Sequence, residues 1–267
     1  MPAPDEDLAL LEGAARAAGR IALDFWRQDP KAWDKADDAG PVTEADLAVN
    51  EELHARLTGA RPGYGWLSEE SEADSSRLDA EHCFIIDPID GTRAFIAGQE
   101  GFSHSLAVAR GDRIVAAVVF LPVSGRCYTA FGEGPALLNG EPIAPTDRGV
   151  SGASVLTYRA VSEPGHWKDG RVPDFRREFR PSLAWRLCLA AEGRFDAALS
   201  LRAAWEWDIA AGSLIAERAG AAVSDRYGRR MRFNSQRGMV DGLIVAGPRL
   251  HGELLAALDD PGLRPAG

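Results

Sequence analysis

The chain has 267 residues, enough for one large α/β domain or two smaller ones sharing an interface. Hydrophobic residues make up 45% and charged residues 26%, an ordinary globular balance that excludes a wholly disordered chain. A net charge of −10 leaves no basic footprint for a nucleic-acid polymer, so any phosphate handled here needs bound cations to reverse the local field.

The amino terminus, Met1 to Asp7, is acidic where a signal peptide would be basic and then apolar. The longest apolar stretch, Ile114 to Val123, falls well short of the ~20 residues of a membrane span. A cytoplasmic protein without a membrane segment is therefore expected. Cys83, Cys127 and Cys188 form no CxxC pair and read as buried small hydrophobes in a reducing compartment.

Leu8, Leu11, Ala15, Ala18, Ile21, Ala22 and Phe25 recur at helical spacing and predict a helix from about Asp5 to Arg27. After a polar stretch from Asp34 to Gly40, Thr43-x-x-Asp46 matches a capping box. It opens a second helix to about Leu57, with Leu47, Val49 and Leu53 facing inward. Tyr64 to Leu67 predicts a short strand ending at Ser68-Glu69-Glu70. Beyond a polar loop, the apolar run Cys83 to Asp87 suits a buried strand. Ser103 to Ala109, Ile114 to Phe120 and Arg126 to Phe131 predict three strands joined by hairpin turns, so the first half reads as two helices against an antiparallel sheet.

The second half alternates: strands at Ser154 to Tyr158, Phe195 to Leu199 and Gly242 to Ala246, and helices at Leu183 to Glu192, Ile209 to Ala219 and Leu250 to Leu258. Arg159 to Arg180, rich in Pro, Gly and charge, predicts a long loop. The expected organisation is an α+β half over residues 1–150 and an α/β half over 151–267.

The chemistry concentrates in acidic segments. In Asp87-Pro88-Ile89-Asp90-Gly91-Thr92 two aspartates follow a buried strand, with a proline expected to end the ladder and turn the chain outward. Gly91 and Thr92 then open a helical turn through Phe95. Carboxylates are hard ligands suited to Mg²⁺, and free N–H groups at a helix start suit a phosphate. Read alone, the segment is also compatible with a capped turn, Glu69-Glu70 with a solvated loop, and Asp208 with a helix N-cap.

Together, Leu67-Ser68-Glu69-Glu70-Ser71, Asp87-Pro88-Ile89-Asp90-Gly91-Thr92 and Trp207-Asp208-Ile209-Ala210-Ala211-Gly212 resemble, in order and spacing, the signature motifs of the inositol monophosphatase family, and Pro41-Val42-Thr43-Glu44-Ala45-Asp46 adds a fourth match. The resemblance extends from the first helix to about Leu258. It implies a layered αβαβα sandwich of the sugar-phosphatase type and a phosphoric monoester hydrolase acting by metal-activated water on a small-molecule phosphate ester. It further implies two or three Mg²⁺ ions held by Glu69, Asp87, the Ile89 carbonyl, Asp90 and Asp208, with Glu70 assisting through metal-bound water. Asp46 and Thr92 would orient and deprotonate the attacking water, the Gly91 and Thr92 amides would hold the phosphate, and Asp208 would also face the substrate. Lys35 lies where such proteins often carry a lysine. A homodimer is compatible with the family.

The length of the segment from Arg93 to Ser103, with Phe95 and Phe102, looks like that of bacterial 3′(2′),5′-bisphosphate nucleotidases. Inositol-1-monophosphatase and histidinol-phosphate phosphatase are the alternatives, and a mainly binding or regulatory protein on the same fold is the alternative of another class. Arg180-Pro181-Ser182-Leu183-Ala184 departs from the usual Gly-Ser before the helix. A second substrate phosphate would need a cation from Lys168, Arg171, Arg176, Arg177, Arg180 or Arg186, of which Arg186 is assigned to the substrate.

Overall fold

A computed structural model describes residues 4–35, 40–72 and 74–259. Part of the polar stretch before Gly40 and the first residues of the acidic amino terminus lie outside them. Helix α1 (Pro4–Phe25) is followed by two short paired strands, β1 (Ala32–Asp34) and β2 (Pro41–Thr43), and by α2 (Glu44–Ala60). Next come β3 (Gly65–Ser68), β4 (His82–Asp90), the short helix α3 (Thr92–Ile96), β5 (Ser103–Arg110), β6 (Arg113–Leu121), β7 (Arg126–Phe131), β8 (Leu137–Leu138) and β9 (Glu141–Pro142). The later part contains β10 (Ala153–Leu156), β11 (Phe175–Glu178), α4 (Leu183–Ala191), β12 (Ala197–Ser200), β13 (Ala204–Trp205), α5 (Glu206–Ala219), β14 (Ala222–Ser224), β15 (Met239–Val240), β16 (Leu243–Ala246) and α6 (Pro248–Ala257).

Strands β3 to β9 form a seven-stranded sheet in sequence order. It is antiparallel except between β3 and β4, so the expectation of a purely antiparallel sheet fails at that edge. The other large sheet has five strands in the order β11-β10-β12-β16-β14.

Alternation along the strands sorts the core into layers. Phe84, Ile86, Leu106, Val108 and Val118 pack against Leu11, Ala15 and Ala18 of α1 and Val49 and Leu53 of α2. Ile85, Ala107, Ala109 and Val119 point the other way, onto Leu187 of α4 and Ile209 and Ile215 of α5. The opposite side of α4 and α5 covers Leu156, Ala198, Leu243 and Val245 of the five-stranded sheet, whose outer face carries α6 through Leu250 and Leu254. The result is the expected αβαβα sandwich, with α4 and α5 as its middle layer.

Three local expectations are corrected. Leu47 is exposed, because the buried stripe of α2 runs through Ala45, Val49, Leu53 and Leu57. Pro88 does not end its strand: β4 continues to Asp90, all nine residues buried, with a bulge between Asp87 and Asp90 that accommodates the missing N–H. The long loop from Arg159 to Arg180 contains β11, which pairs in parallel with β10 at the sheet edge.

The middle layer depends on one close approach. A β-carbon at Gly212 would lie 2.8 Å from the β-carbon of Leu187 and 3.1 Å from the Ala184 carbonyl. Gly212→Val is therefore expected to cost about 1–3 kcal/mol by overpacking, read as a lower urea midpoint with an unchanged m value.

Candidate metal and phosphate site

The acidic segments meet at one end of the seven-stranded sheet. Glu69 follows β3, and its N–H continues the ladder by donating to the Ile86 carbonyl at 3.2 Å. Asn50 of α2 fixes the same segment: its amide donates to the Glu70 carbonyl, and it accepts from Ser68 Oγ at 2.7 Å. Asp87 and Asp90 flank the bulge of β4. Asp208 lies in the first turn of α5 and is not its N-cap, since that place is taken by Trp205. Ser105 Oγ on β5 donates to the Trp207 carbonyl at 2.8 Å, and buried Glu206 accepts from Asn234 N, Ser235 N and Ser235 Oγ, so the start of α5 is held from two sides.

Carboxylate oxygens of Glu69, Asp87 and Asp208 all lie within 4.8 Å of one another. Asp90 stands beside them with a second task. Its Oδ2 accepts from Ser182 Oγ at 2.7 Å and from the Ala184 N–H at 2.6 Å, at the amino end of α4. Ser182 is also the N-cap of α4, accepting from the Trp185 N–H, so the departure from Gly-Ser retains the serine that matters to Asp90. Asp46 is both capping residue and site residue: its Oδ2 accepts from Thr43 N and Oγ1, while Thr92 Oγ1 reaches its Oδ1 at 3.3 Å and the Ile89 carbonyl at 3.1 Å. Gly91, at φ 100°, opens α3 without a side-chain cap, in a left-handed conformation that disfavours other residues.

Burial together with like charge dominates the electrostatics. Burial pushes Asp87 well above the ordinary carboxylate range, and Glu69, Asp90, Asp208 and Asp46 add to it. Asp208 is raised by burial and then by Asp90 and Glu69, against Lys35 and Arg186. Burial lifts Asp46 to about 6 and Asp90 to about 6, the latter opposed by its hydrogen bonds from α4. Glu70 rises to about 7, again chiefly through burial, although Lys35 Nζ sits 2.6 Å from it and 2.8 Å from Glu69.

The donor set fits Mg²⁺. Asp87 Oδ1 is buried without a hydrogen-bond partner among the described residues, and an ionised carboxylate in that position requires a cation. The oxygens facing it are hard ligands of the kind Mg²⁺ selects.

A cavity of about 640 Å³ opens over the cluster, lined by Glu69, Gly91, Thr92 and Asp208 and, farther out, by Arg93, Tyr158, Phe179, Arg186 and Trp205. Of the six cations expected to serve a second phosphate, Arg186 lines this cavity. Its side chain is buried, donates to the Arg180 and Pro181 carbonyls, and lies over the rings of Tyr158 and Phe179 at 4.5 and 4.4 Å. Arg93, exposed on α3, and the aromatic wall were not singled out in the sequence. Arg93 carried a signal in following Thr92 directly; the three aromatic residues come from distant segments with no common spacing.

The model of the inositol monophosphatase family matches residues 3–261. An inositol-1-monophosphatase of Mesorhizobium japonicum is 30% identical, with 94% of this chain and 95% of that protein covered. A histidinol-phosphatase of Chlorobaculum parvum is 29% identical over 96% of each. The crystal structure of the extragenic suppressor protein suhB from Bartonella henselae superposes with a TM-score of 0.80 at 27% identity, covering 96% of this chain and 99% of that one.

Because Asp46 and Glu70 have raised values when folded, the metal-free folded state binds more protons than the unfolded chain near neutral pH. Their contribution to its stability should grow as pH falls from about 7 toward the ordinary carboxylate range of about 4, and Mg²⁺ should raise Tm more at the top of this window than at the bottom. Asp87→Asn should raise the Tm of the metal-free protein and abolish the shift produced by Mg²⁺; differential scanning calorimetry in chelator and in Mg²⁺ checks both.

Proposed function

The chain belongs to the inositol monophosphatase family, and from that membership we propose how its site hydrolyses phosphate monoesters and which ester it takes. It is a phosphoric monoester hydrolase. Glu69, Asp87, Asp208, the Ile89 carbonyl and Asp90 would hold Mg²⁺, which when bound neutralises phosphate charge and acidifies water. The observation that carries this reading is the unpaired, buried Asp87 Oδ1 within the group formed with Glu69 and Asp208.

The chain's own groups supply the remaining steps. Thr92 Oγ1 lies within reach of both the Ile89 carbonyl and Asp46; when its single proton turns from that carbonyl to Asp46, the hydroxyl orients the attacking water and Asp46 accepts the water's proton through it. A carboxylate raised to about 6 is a better base at neutral pH than an ordinary aspartate, because its proton affinity lies nearer the working pH. The Gly91 and Thr92 N–H groups, left without a side-chain cap, meet the phosphoryl oxygens.

For the leaving group the cavity favours a ring and a second anion. Tyr158, Phe179 and Trp205 offer aromatic faces, Arg93 an exposed cation at the rim, and Arg186 a buried positive charge between two of the rings. A 3′(2′),5′-bisphosphate nucleotide satisfies both. Inositol 1-phosphate is the second reading, supported by the similarity to inositol-1-monophosphatases.

Phosphate release from a generic monoester should require Mg²⁺ and stop on chelation. Asp46→Asn should lower kcat by about 10²–10⁴-fold and affect Mg²⁺ affinity much less. In a substrate panel, 3′-phosphoadenosine 5′-phosphate should be hydrolysed with higher kcat/KM than inositol 1-phosphate; the reverse order would select the second reading.

A further inference from the structure

Among the buried polar groups that the chemistry above does not use, His104 stands out by its place in the strand register. Asp87 pairs with Ser105 and Asp90 with Ser103, so two residues of β4, Pro88 and Ile89, face the single residue His104 on β5. A bulge leaves backbone groups without ladder partners and re-aims the neighbouring side chains. Here it separates two carboxylates of the site.

The two carbonyls inside the bulge are each held by a side chain. That of Ile89 accepts from Thr92 Oγ1 on the site side. That of Pro88 accepts from His104 Nδ1, so the imidazole carries its proton on Nδ1. His104 is fully buried on the α1–α2 side of the sheet, with the rings of Phe102 and Phe120 centred 6.4 and 6.3 Å away. Burial also pushes it down to about 4, which keeps it neutral and a single-proton donor near pH 7. Leu106 and Val108, the next residues of β5 on this face, are apolar, as core packing alone would require. A histidine in this row costs desolvation that the Pro88 hydrogen bond offsets only in part, since Nε2 is buried with no hydrogen-bond partner among the described residues.

We infer that His104 is a positioning residue: by holding the Pro88 carbonyl it fixes the bulge that sets Asp87 and Asp90, and through them the affinity of the site for Mg²⁺. The inference rests on the reading of the carboxylate cluster as the Mg²⁺ site. It assigns His104 no contact with substrate or metal.

Mg²⁺ binding measured by calorimetry on the full-length protein tests it. His104→Leu removes the donor and should raise the Mg²⁺ dissociation constant about tenfold or more, the usual effect of losing a group that orients a ligand. His104→Asn returns an N–H near the position of Nδ1 and should recover most of the loss. Phe120→Leu, a packing change beside the same imidazole, should leave the constant within about threefold, well below the effect of losing an orienting group. Equal losses in all three variants, or none in His104→Leu, would overturn the inference. Should His104→Leu fail to fold, ¹⁵N spectra of the unmodified protein decide. A proton on Nδ1 and a resonance that moves on Mg²⁺ addition support the role; a proton on Nε2, or a resonance unmoved by Mg²⁺, defeats it. If the unmodified protein binds no Mg²⁺, the metal reading itself fails, and that outcome is distinct from a failure confined to His104.

Discussion

Buried like charge is the constraint around which this molecule is built. Glu69, Asp87 and Asp208 bring oxygens within 4.8 Å of one another, with Asp90 and Asp46 close enough to raise the proton affinity of Asp87 further. Carboxylates so placed would separate if the backbone allowed it, since an unscreened charge in a low-dielectric setting is costly. Each is therefore tied down through a neighbour: Glu69 through the ladder to β4, Glu70 through Asn50, Asp90 through Ser182 and α4, and Asp208 through Ser105 and the Glu206 network. The resulting frustration is of the kind a divalent cation would relieve.

The same ties explain why the site stands where the layers meet. Odd-numbered residues of β5 point toward α4 and α5, and at the site end these are Ser103 and Ser105 rather than alanines. Farther along the same face, Ala107 and Ala109 return to ordinary core. A single strand thus changes from packing surface to hydrogen-bonding surface within a few residues, and the change coincides with the first turns of both helices. Two helix starts, a strand bulge and a strand end converge there, which supplies backbone N–H groups as well as carboxylates.

Much of this was legible from residue order. The helices α1, α2, α4 and α5, the antiparallel run β5 to β7 and the acidic segments carry strong local signals, and the segment motifs together specify the family. What local signals missed is non-local. Pro88 reads as a strand terminator unless the opposite strand is known to supply one residue against two. Leu47 reads as inward until the stripe through Ala45, Val49, Leu53 and Leu57 is seen to carry the burial. The edge strand β11 has an alternation too short and too charged to stand out from its loop. Glu206, Asn50, Ser182 and His104 matter because of partners tens of residues away, and no spacing rule announces such partners.

The middle layer has a consequence for synthesis. Ile85, Ala107, Ala117 and Val119 are covered by helices that begin only at Leu183, whereas the opposite face of the same sheet is covered by helices made first. At ribosomal rates of about 5–20 residues per second, a nascent chain carries one finished and one bare sheet face for several seconds. That bare face is largely apolar, the kind of surface on which chaperones act and aggregates nucleate. The order of elements along the gene, and not only the final packing, therefore sets how much protection this chain needs while it is being made.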